Sequence, residues 1–351
     1  MLSEAYAIYR LPYDSHATLV RQSEGKPAEL LSCVDLNSRR GFVMAPFEVS
    51  PAQPILVIRP DEVSRMEIPS VPVPIPASVP EASPEVGRSY YAIDFANFHA
   101  QLMQGMFRKI VLARCADESM PAEADPQQLF YRACQLYPRM FIALVHTPQS
   151  GTWLTATPEI LLEGSERHWR TIALAGTMKL EGDQLDSEGE TVTWSTKNIE
   201  EQRIVATYIA ECLEQFSADF SEEGPRTVRA ANLVHLRSDF NFTLPTNDRI
   251  GDLLQSLHPT PAVCGLPKRE AFRFIIGNEH TPRRYYSGFM GMLDPQSDTH
   301  LYVSLRCMNI DGNRCHLFAG GGLLRESTGE QEWQETEAKL ETMRRLLNRK
   351  S

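Results

Sequence analysis

The fold of this 351-residue chain is restricted most by its strand-forming runs. These runs occur in pairs, and amphipathic helices lie between the pairs. Such runs occur at KIVLARC, MFIALVH, HLYVSLRCMNI and CHLFAGGG, and helical periodicity predicts helices over 93–106, 125–136, 195–216 and 330–348. The runs form hairpin-like pairs and do not alternate strictly with helices. This pattern favours an α+β fold, one large domain of antiparallel β-sheets flanked by helices, over a doubly wound parallel sheet.

A proline-rich stretch divides the chain near residue 70. The text IPSVPVPIPASVPEASP favours extended polyproline geometry over packed structure. The segment before it contains the β-like runs YAIYRL, GFVMAPF and PILVIRP but is too short to bury much surface alone. We therefore predict a β-rich segment over 1–67, a linker over 68–88, and a main domain over 89–351 on which the first segment packs.

Composition excludes several classes of protein. The formal net charge is −10, which argues against binding to nucleic acid or to anionic membrane. The chain has no run of about 18 apolar residues, and charged residues interrupt its first 15 positions, so we expect a cytoplasmic protein. Seven cysteines without a CxxC pair suggest neither a zinc knuckle nor a disulfide framework. An anionic substrate would therefore have to meet local positive charge.

Two motifs could carry proton transfer. In KIVLAR, Lys109 shares a strand face with apolar residues; it is either an edge-strand lysine that guards against aggregation or a buried neutral amine able to act as a base. In ATPEILLEG, Thr157 and Pro158 are typical of a helix start. The alternative, indicated by the strand-like runs on either side, is a bend that places Glu159 against a pocket, where partial burial could keep it protonated as a general acid must be.

Two further motifs could carry a ligand site. LAGTMK offers Ala175, Gly176 and Thr177, which form either a plain strand end or a place where a ligand approaches the backbone and a hydroxyl. In STKNIEEQRIVATYIAECL, helical spacing puts Glu201 on the apolar face of the helix. A carboxylate there needs a salt bridge or a metal ion, and the spacing leaves both open.

The C-terminal part contains charged and glycine-rich motifs. EQEWQETEAKLETMRRLL aligns Glu332, Glu335 and Lys339 on one side of a helix, a pattern also typical of a solvated face. The glycines at 320–322 could form a nest of backbone N–H groups for a carboxylate, and Arg306 could clamp another.

The stretch LHPTPAVCG must be a stiff loop, because each proline removes a backbone donor and fixes its own φ. It holds His258, Thr260 and Ala262 in fixed positions.

Taken in order, these motifs resemble the chorismate-utilising enzyme family. The resemblance covers roughly 89–346 and rests on KIVLAR, TPE, LAGT, SxKxxxE, LHPTPAVCGLP, YYSGFMG, SLRC, FAGGG and EWxETxxK. It implies that the LHPTPAVCG loop forms one wall of the substrate pocket.

Four features resemble the isochorismate synthases, which together with salicylate synthases form the water-using branch of that family. Lys109 stands where ammonia-using anthranilate synthases usually carry glutamine, and HPTPA stands where they tend to have PAGT. Ala262 occupies a position where salicylate synthases tend to have threonine, and Ala175 one where some aminodeoxychorismate synthases carry a lysine nucleophile. The resemblance therefore implies conversion of chorismate to isochorismate for menaquinone or siderophore synthesis, by a monomer. A salicylate- or anthranilate-type synthase and a non-catalytic chorismate-binding homologue are the alternatives.

The resemblance also implies roles for individual residues. Lys109 would be the base that activates water, and Glu159 the acid that protonates the leaving hydroxyl. Mg²⁺ would be held by Glu201 and Glu335, with Glu332 helping through water. The remaining implied residues would bind the substrate: Ala175, Gly176, Thr177, His258, Ala262, Val263, Tyr286, Arg306, Gly320, Gly321 and Lys339. Small departures are Gln202, where the family often has histidine, and FAGGG in place of FAGAG.

Overall fold

A computed structural model describes residues 5–71, 85–120, 124–180, 192–230 and 233–347. Within these residues the strands are β1 (Ala5–Arg10), β2 (His16–Gln22), β3 (Ala28–Leu30), β4 (Gly41–Ala45), β5 (Ile55–Ile58), β6 (Glu62–Glu67), β7 (Lys109–Ser119), β8 (Phe141–Thr147), β9 (Gly151–Thr157), β10 (Ile160–Ser165), β11 (His168–Lys179), β12 (Phe220–Ala230), β13 (Leu233–Thr243), β14 (Gly265–Leu266), β15 (Phe289–Leu293), β16 (Asp298–Val303), β17 (Cys307–Asp311) and β18 (Arg314–Leu323). The helices are α1 (Glu85–Met103), α2 (Pro126–Leu136), α3 (Thr196–Leu213), α4 (Ile250–Leu257), α5 (Lys268–Asn278) and α6 (Gly329–Leu347), with a 3-10 turn at Cys33–Leu36.

The strands form two nine-stranded sheets in which the paired neighbours run antiparallel. The first sheet has the order β14-β7-β18-β17-β9-β8-β1-β2-β6, and the second has the order β12-β13-β11-β10-β16-β15-β4-β5-β3. The predicted antiparallel α+β fold is thereby confirmed.

The N-terminal segment is built into both sheets. β1, β2 and β6 extend the first sheet through the pairing of β1 with β8. β3, β4 and β5 extend the second sheet through the pairing of β4 with β15. Of the predicted linker over 68–88, residues 72–84 lie outside the described residues. Its last residues are helical, because α1 begins at Glu85.

Four of the helices follow the predicted periodicity. α2, α3 and α6 match the predicted ranges closely, whereas α1 begins well before residue 93. The ends agree with capping chemistry: Asp125 accepts a hydrogen bond from the N–H of Gln128 at 2.8 Å, and Ser195 accepts one from Asn198 at 3.2 Å. The sequence did not predict α4 and α5, and α4, with eight residues, is too short for a clear periodic signal.

The two sheets pack face to face, and helices cover their outer faces. Between the sheets, the ring of Phe141 on β8 stacks on Tyr302 of β16 with centroids 4.3 Å apart. α3 and α4 pack on the second sheet, and α2 and α6 pack on the first. α1 and α5 pack around β7. None of the described helices is long and apolar enough to span a bilayer.

Truncation of the inter-sheet stack should weaken the whole fold. We expect Phe141→Ala to lower the free energy of unfolding by about 3–5 kcal/mol, because it leaves a cavity between two sheets that cannot collapse onto it. Urea denaturation measures this loss. Leu31→Ala is the control, since Leu31 is 59% exposed and should change stability by no more than about 0.5 kcal/mol. Equal losses in the two variants would contradict this account of the core.

Candidate active site

One pocket gathers most of the residues that the sequence singled out. Both sheets, α3, α6 and the loop after α4 contribute to it. Its lining residues are Val111, Glu159, Leu174, Ala175, Gly176, Thr177, Glu201, His235, Ala262, Val263, Tyr286, Leu305, Arg306, Phe318, Ala319, Gly320, Gly322 and Lys339. Predicted residues outside this lining are Lys109, His258, Gly321, Glu332 and Glu335.

Glu159 lies at a bend between two strands. β9 ends at Thr157 and β10 begins at Ile160, so the alternative of a helix start is wrong. The side chain lines the pocket, yet the residue is only 3% exposed. Burial raises the pKa of Glu159 to about 7, although the positive charges of Lys109, Arg306 and Lys339 oppose the rise. Glu159 therefore carries a proton at pH values where an ordinary carboxyl group has lost it.

Lys109 is fully buried and forms an ion pair with Glu201, with Nζ and Oε1 2.9 Å apart. The alternative of an exposed edge-strand lysine is therefore wrong, and the buried lysine has an acidic partner that the sequence did not reveal. Glu201 lines the pocket and Lys109 lies directly behind it. The charge of Lys109 is a main reason why the pKa of Glu201 is lowered despite burial. Of the two alternatives for Glu201, the salt bridge is present.

A bulge in β11 connects Glu201 to the pocket wall. The pairing with β13 shifts register between Ala175 and Thr177, and Gly176 between them has a φ of +71° that favours glycine. The N–H of Gly176 donates to Oε2 of Glu201 at 3.2 Å. LAGT is thus not a plain strand end, because all four of its residues, 174–177, line the pocket.

Arg306 lies at the break between β16 and β17, which the sequence predicted as one strand. Its φ is +45°, and its carbonyl accepts a hydrogen bond from the N–H of Ala156. Nη2 lies 2.6 Å from Nε2 of His235. Nη1 is buried without a hydrogen-bond partner among the described residues. Since a buried guanidinium group left unpaired is costly, this nitrogen suits a carboxylate that enters the pocket.

His235 is a pocket residue that sequence reasoning missed. Its Nδ1 lies 3.1 Å from the carbonyl oxygen of Gly176 and thus donates to it, which leaves Nε2 to accept from Arg306. Burial, Arg306 and Lys339 hold the pKa of His235 well below its usual value, so the ring stays neutral. The only sequence signal was a histidine within a strand-forming run, LVHLRS, which is more often a core residue.

The glycine run serves the site by leaving space. Residues 320–322 are extended within β18 and pair with β7, so the predicted nest of N–H groups is wrong. A Cβ atom on Gly320 would lie 2.8 Å from the hydroxyl of Tyr286, and one on Gly322 would lie 2.2 Å from Oε1 of Glu201. A Cβ atom on Gly321 would lie 3.0 Å from Oε2 of Glu332. Each glycine therefore makes room for a different polar group.

Two acidic residues of α6, Glu332 and Glu335, are paired with lysines. Lys197 of α3 forms an ion pair with Oε1 of Glu332, and Lys339 donates to Oε1 of Glu335 at 2.7 Å and to the carbonyl of Gly320 at 2.8 Å. The alternative of a solvated face is wrong for Glu332, which is 1% exposed. Burial and the neighbouring Glu335 raise the pKa of Glu332.

These carboxylates fit a divalent cation in chemistry. Carboxylate oxygens are the ligands that Mg²⁺ prefers. Oε2 of Glu332 is buried without a hydrogen-bond partner among the described residues and faces the space left by Gly321. Among the described residues, only Cys115, Asp117 and His316 place three potential metal-ligand atoms within 4.8 Å of one another. The carboxylate oxygens of Glu201, Glu332 and Glu335 therefore do not all lie within that distance of one another. Oε1 of Glu201 and Oε1 of Glu335 contact lysines, whereas Oε2 of Glu332 has no partner among the described residues and is open to an ion.

The loop over 258–264 forms a wall of the pocket through Ala262 and Val263. His258 does not face the pocket; its ring lies edge-on to Phe289 with centroids 5.1 Å apart. Burial, with a smaller contribution from the charge of Lys268, lowers the pKa of His258 to about 3. His258 is therefore a neutral core residue in this structure. Thr260 is likewise buried.

Comparison with known proteins identifies the family. Residues 66–348 match the family described as chorismate binding enzyme. This match covers most of the chain, which therefore belongs to the chorismate-binding enzyme family. The family predicted from the ordered motifs is confirmed.

Two sequence relatives and one solved structure are similar to the chain. Isochorismate synthase EntC of Escherichia coli K12 is 31% identical over 238 residues, which are 67% of this chain and 61% of EntC. The salicylate biosynthesis isochorismate synthase of Pseudomonas aeruginosa is 33% identical over 254 residues, 71% of this chain and 52% of that protein. The matches thus span about half to three fifths of these relatives. The structure of MenF, the menaquinone-specific isochorismate synthase from Escherichia coli, superposes with a TM-score of 0.81 at 22% identity and covers 98% of this chain and 89% of MenF.

The raised pKa of Glu159 predicts a dependence of stability on pH. Because the folded protein holds this proton up to about pH 7, against 4.5 for an ordinary glutamate, the stability associated with the proton is complete below pH 4.5 and is lost as the pH rises through 7. Glutamine does not ionise, so Glu159→Gln should gain stability relative to the natural protein over this range, by about 3 kcal/mol at most.

Chemical denaturation at pH 5, 6, 7 and 8 measures this difference. Glu24→Gln is the control, because Glu24 is exposed and its variant should track the natural protein at each pH. If the Glu159→Gln curve also ran parallel to that of the natural protein, the assignment of a proton to Glu159 would be wrong.

Proposed function

We propose that the protein is an isochorismate synthase, an isomerase that interconverts chorismate and isochorismate by adding water at C2 and releasing the C4 hydroxyl. The observation that carries this proposal is the placement of Glu159, a carboxyl group that keeps its proton near neutral pH, in the same pocket as Glu201 with Lys109 directly behind it. Family membership and the names of the curated relatives support the substrate.

The pocket supplies the positive charge that a dianionic substrate requires. Arg306 offers its unpartnered Nη1 to one carboxylate, and Tyr286 and Lys339 line the same space. His235 holds Arg306 in place without adding charge, because its ring is neutral. Ala262 and Val263 form an apolar wall that excludes water from the rest of the ring. Ala175, Gly176 and Thr177 complete the binding surface, with Gly320 giving the substrate room beside Tyr286.

Proton transfer balances within the pocket. Lys109 takes a proton from the water that attacks C2, and Glu159 gives its proton to the hydroxyl that leaves C4, so the reaction as a whole consumes no proton. Lys109 must be neutral to act as the base. Its ion pair with Glu201 must therefore weaken before water is activated.

A metal ion on Glu201 would give a reason for the ion pair between Lys109 and Glu201 to weaken. We propose that Glu201 and Glu335 hold Mg²⁺, with Glu332 assisting through its unpartnered Oε2. When bound, the ion would withdraw electrons through the ring carboxylate and make C2 more electrophilic. Lys109 would then share the Glu201 carboxylate with the ion, so its own contact with that carboxylate would be weaker.

We further propose that the enzyme acts as a cytoplasmic monomer in menaquinone or siderophore biosynthesis. The curated relatives EntC and the Pseudomonas aeruginosa enzyme carry isochorismate synthase names, which favours this activity over the salicylate and anthranilate alternatives. The intact set of Lys109, Glu159 and Glu201 argues against a non-catalytic homologue.

Product analysis tests the proposed reaction. Purified protein incubated with chorismate and Mg²⁺ should yield isochorismate, and addition of EDTA should abolish turnover. Chromatographic separation of the products measures this. Salicylate with pyruvate, or anthranilate when ammonia is supplied, would contradict the proposal, as would binding of chorismate without turnover.

The two proposed proton carriers can be tested separately. Lys109→Ala and Glu159→Gln should each lower kcat by roughly 10²–10⁴-fold, the usual contribution of a positioned acid or base. Steady-state kinetics measure this loss, and circular dichroism confirms that each variant is folded. Lys26→Ala, at an exposed lysine, serves as the control. Near-normal turnover in either variant would remove that residue from its role.

A further inference from the structure

On one of its two sides, β7 has a strand partner only at its first two residues, and the next residue, Val111, lines the pocket. On that side β14 pairs only with Lys109 and Ile110, and Cys264 adds one bond by accepting from the N–H of Val111 at 2.6 Å. On its other side β7 pairs with β18 from Ile110 to Ser119. The backbone of 111–113 would therefore be an open strand edge next to the pocket unless other groups covered it.

Two side chains take the place of the missing strand. The N–H of Ala113 donates to Oε1 of Glu279 at 2.8 Å, and Nη2 of Arg283 donates to the carbonyl of Val111 at 2.9 Å. Glu279 and Arg283 pair with each other, with Nε of Arg283 2.7 Å from Oε2 of Glu279. Their side chains are 4% and 2% exposed. This buried pair thus supplies the backbone hydrogen bonds that a neighbouring strand would make to the edge of β7.

The same pair also holds the wall loop. Nη1 of Arg283 donates to the carbonyl of Val263 at 2.6 Å. One guanidinium group thereby binds a carboxylate, the edge of β7 and the loop over 258–264. Val111 of β7 and Val263 of the loop both line the pocket. The distance between these two walls is set by a planar group with fixed geometry.

We propose that Glu279 and Arg283 are positioning residues that fix the loop over 258–264 against β7 and so set the width of the pocket for the substrate ring. Neither residue lines the pocket, so they act through Val111, Ala113 and Val263. Because the wall contacts an apolar part of the substrate in the ground state and the transition state alike, its displacement weakens binding more than chemistry. The kinetic part of this proposal rests on the proposed function; the structural part does not.

Charge-conserving variants with shorter reach test the proposal. Arg283→Lys keeps the positive charge but cannot bind three partners in different directions at once, and Glu279→Asp keeps the negative charge but cannot span to Ala113. The matched control is Arg10→Lys. Arg10 is 1% exposed and donates to the carbonyls of Pro138 and Tyr137 at 2.6 and 2.7 Å, and neither of these residues lines the pocket.

Two readouts separate positioning from simple stabilisation. We expect Arg283→Lys to raise KM for chorismate roughly five- to tenfold with kcat within about twofold. We also expect faster amide hydrogen exchange in the peptides that contain 111–113 and 258–264. Arg10→Lys should lower Tm by a similar amount and change neither readout. If Arg283→Lys does not fold, Glu279→Asp carries the same comparison.

Each outcome decides the proposal. If Arg283→Lys and Arg10→Lys lower Tm alike while KM and exchange in the two peptides stay unchanged, the pair is merely structural and the proposal is overturned. If the natural protein does not turn over chorismate, the proposed function fails, and exchange alone decides: a selective increase in the two peptides supports positioning, and an increase no larger than in Arg10→Lys refutes it.

Discussion

The ion pair between Lys109 and Glu201 is the contact on which the site depends, because it joins the two halves of the fold. Lys109 begins β7 of the first sheet, and Glu201 belongs to α3, which packs on the second sheet. Removal of one partner would leave a buried charge alone, at a cost of about 3–5 kcal/mol. The pair therefore fixes the first sheet relative to α3, and the pocket opens on the Glu201 side of this contact.

The pocket contains positively charged side chains although the protein as a whole is negatively charged. The chain is acidic overall, yet Arg306 and Lys339 line the pocket, and Lys109 lies just behind it. These cations oppose the rise in the pKa of Glu159, but burial prevails and carries it to about 7. An anionic substrate and a protonated acid can therefore share one small space, which a solvent-filled cleft of the same composition would not allow.

Local patterns predicted the elements, and their order predicted the family. Strand-type runs predicted β7, β8 and β18 well, because their apolar residues are buried as the pattern requires. Glu159 could be placed at a bend because strand-like runs flank it. The break at Arg306 could not, since the run around it contains neither glycine nor proline, and its positive φ occurs at a residue that rarely adopts one.

Long-range contacts account for what the sequence could not predict. His235 enters the site only because β13 pairs with β11, which brings its ring to Gly176 and Arg306. The partner of Lys109 comes from a helix about ninety residues away, so spacing alone could not identify it. The glycine run suggested a nest because its composition allows one, whereas pairing of β18 with β7 holds it extended.

A crystal structure of the protein with Mg²⁺ and isochorismate tests the central claim most directly. The account predicts the ligand in the pocket beside Glu159, with one carboxylate on Nη1 of Arg306, the ion on Glu201, and Nζ of Lys109 facing C2 of the ring. A ligand bound elsewhere, or one in this pocket with Lys109 still held by Glu201 and out of reach of C2, would contradict it.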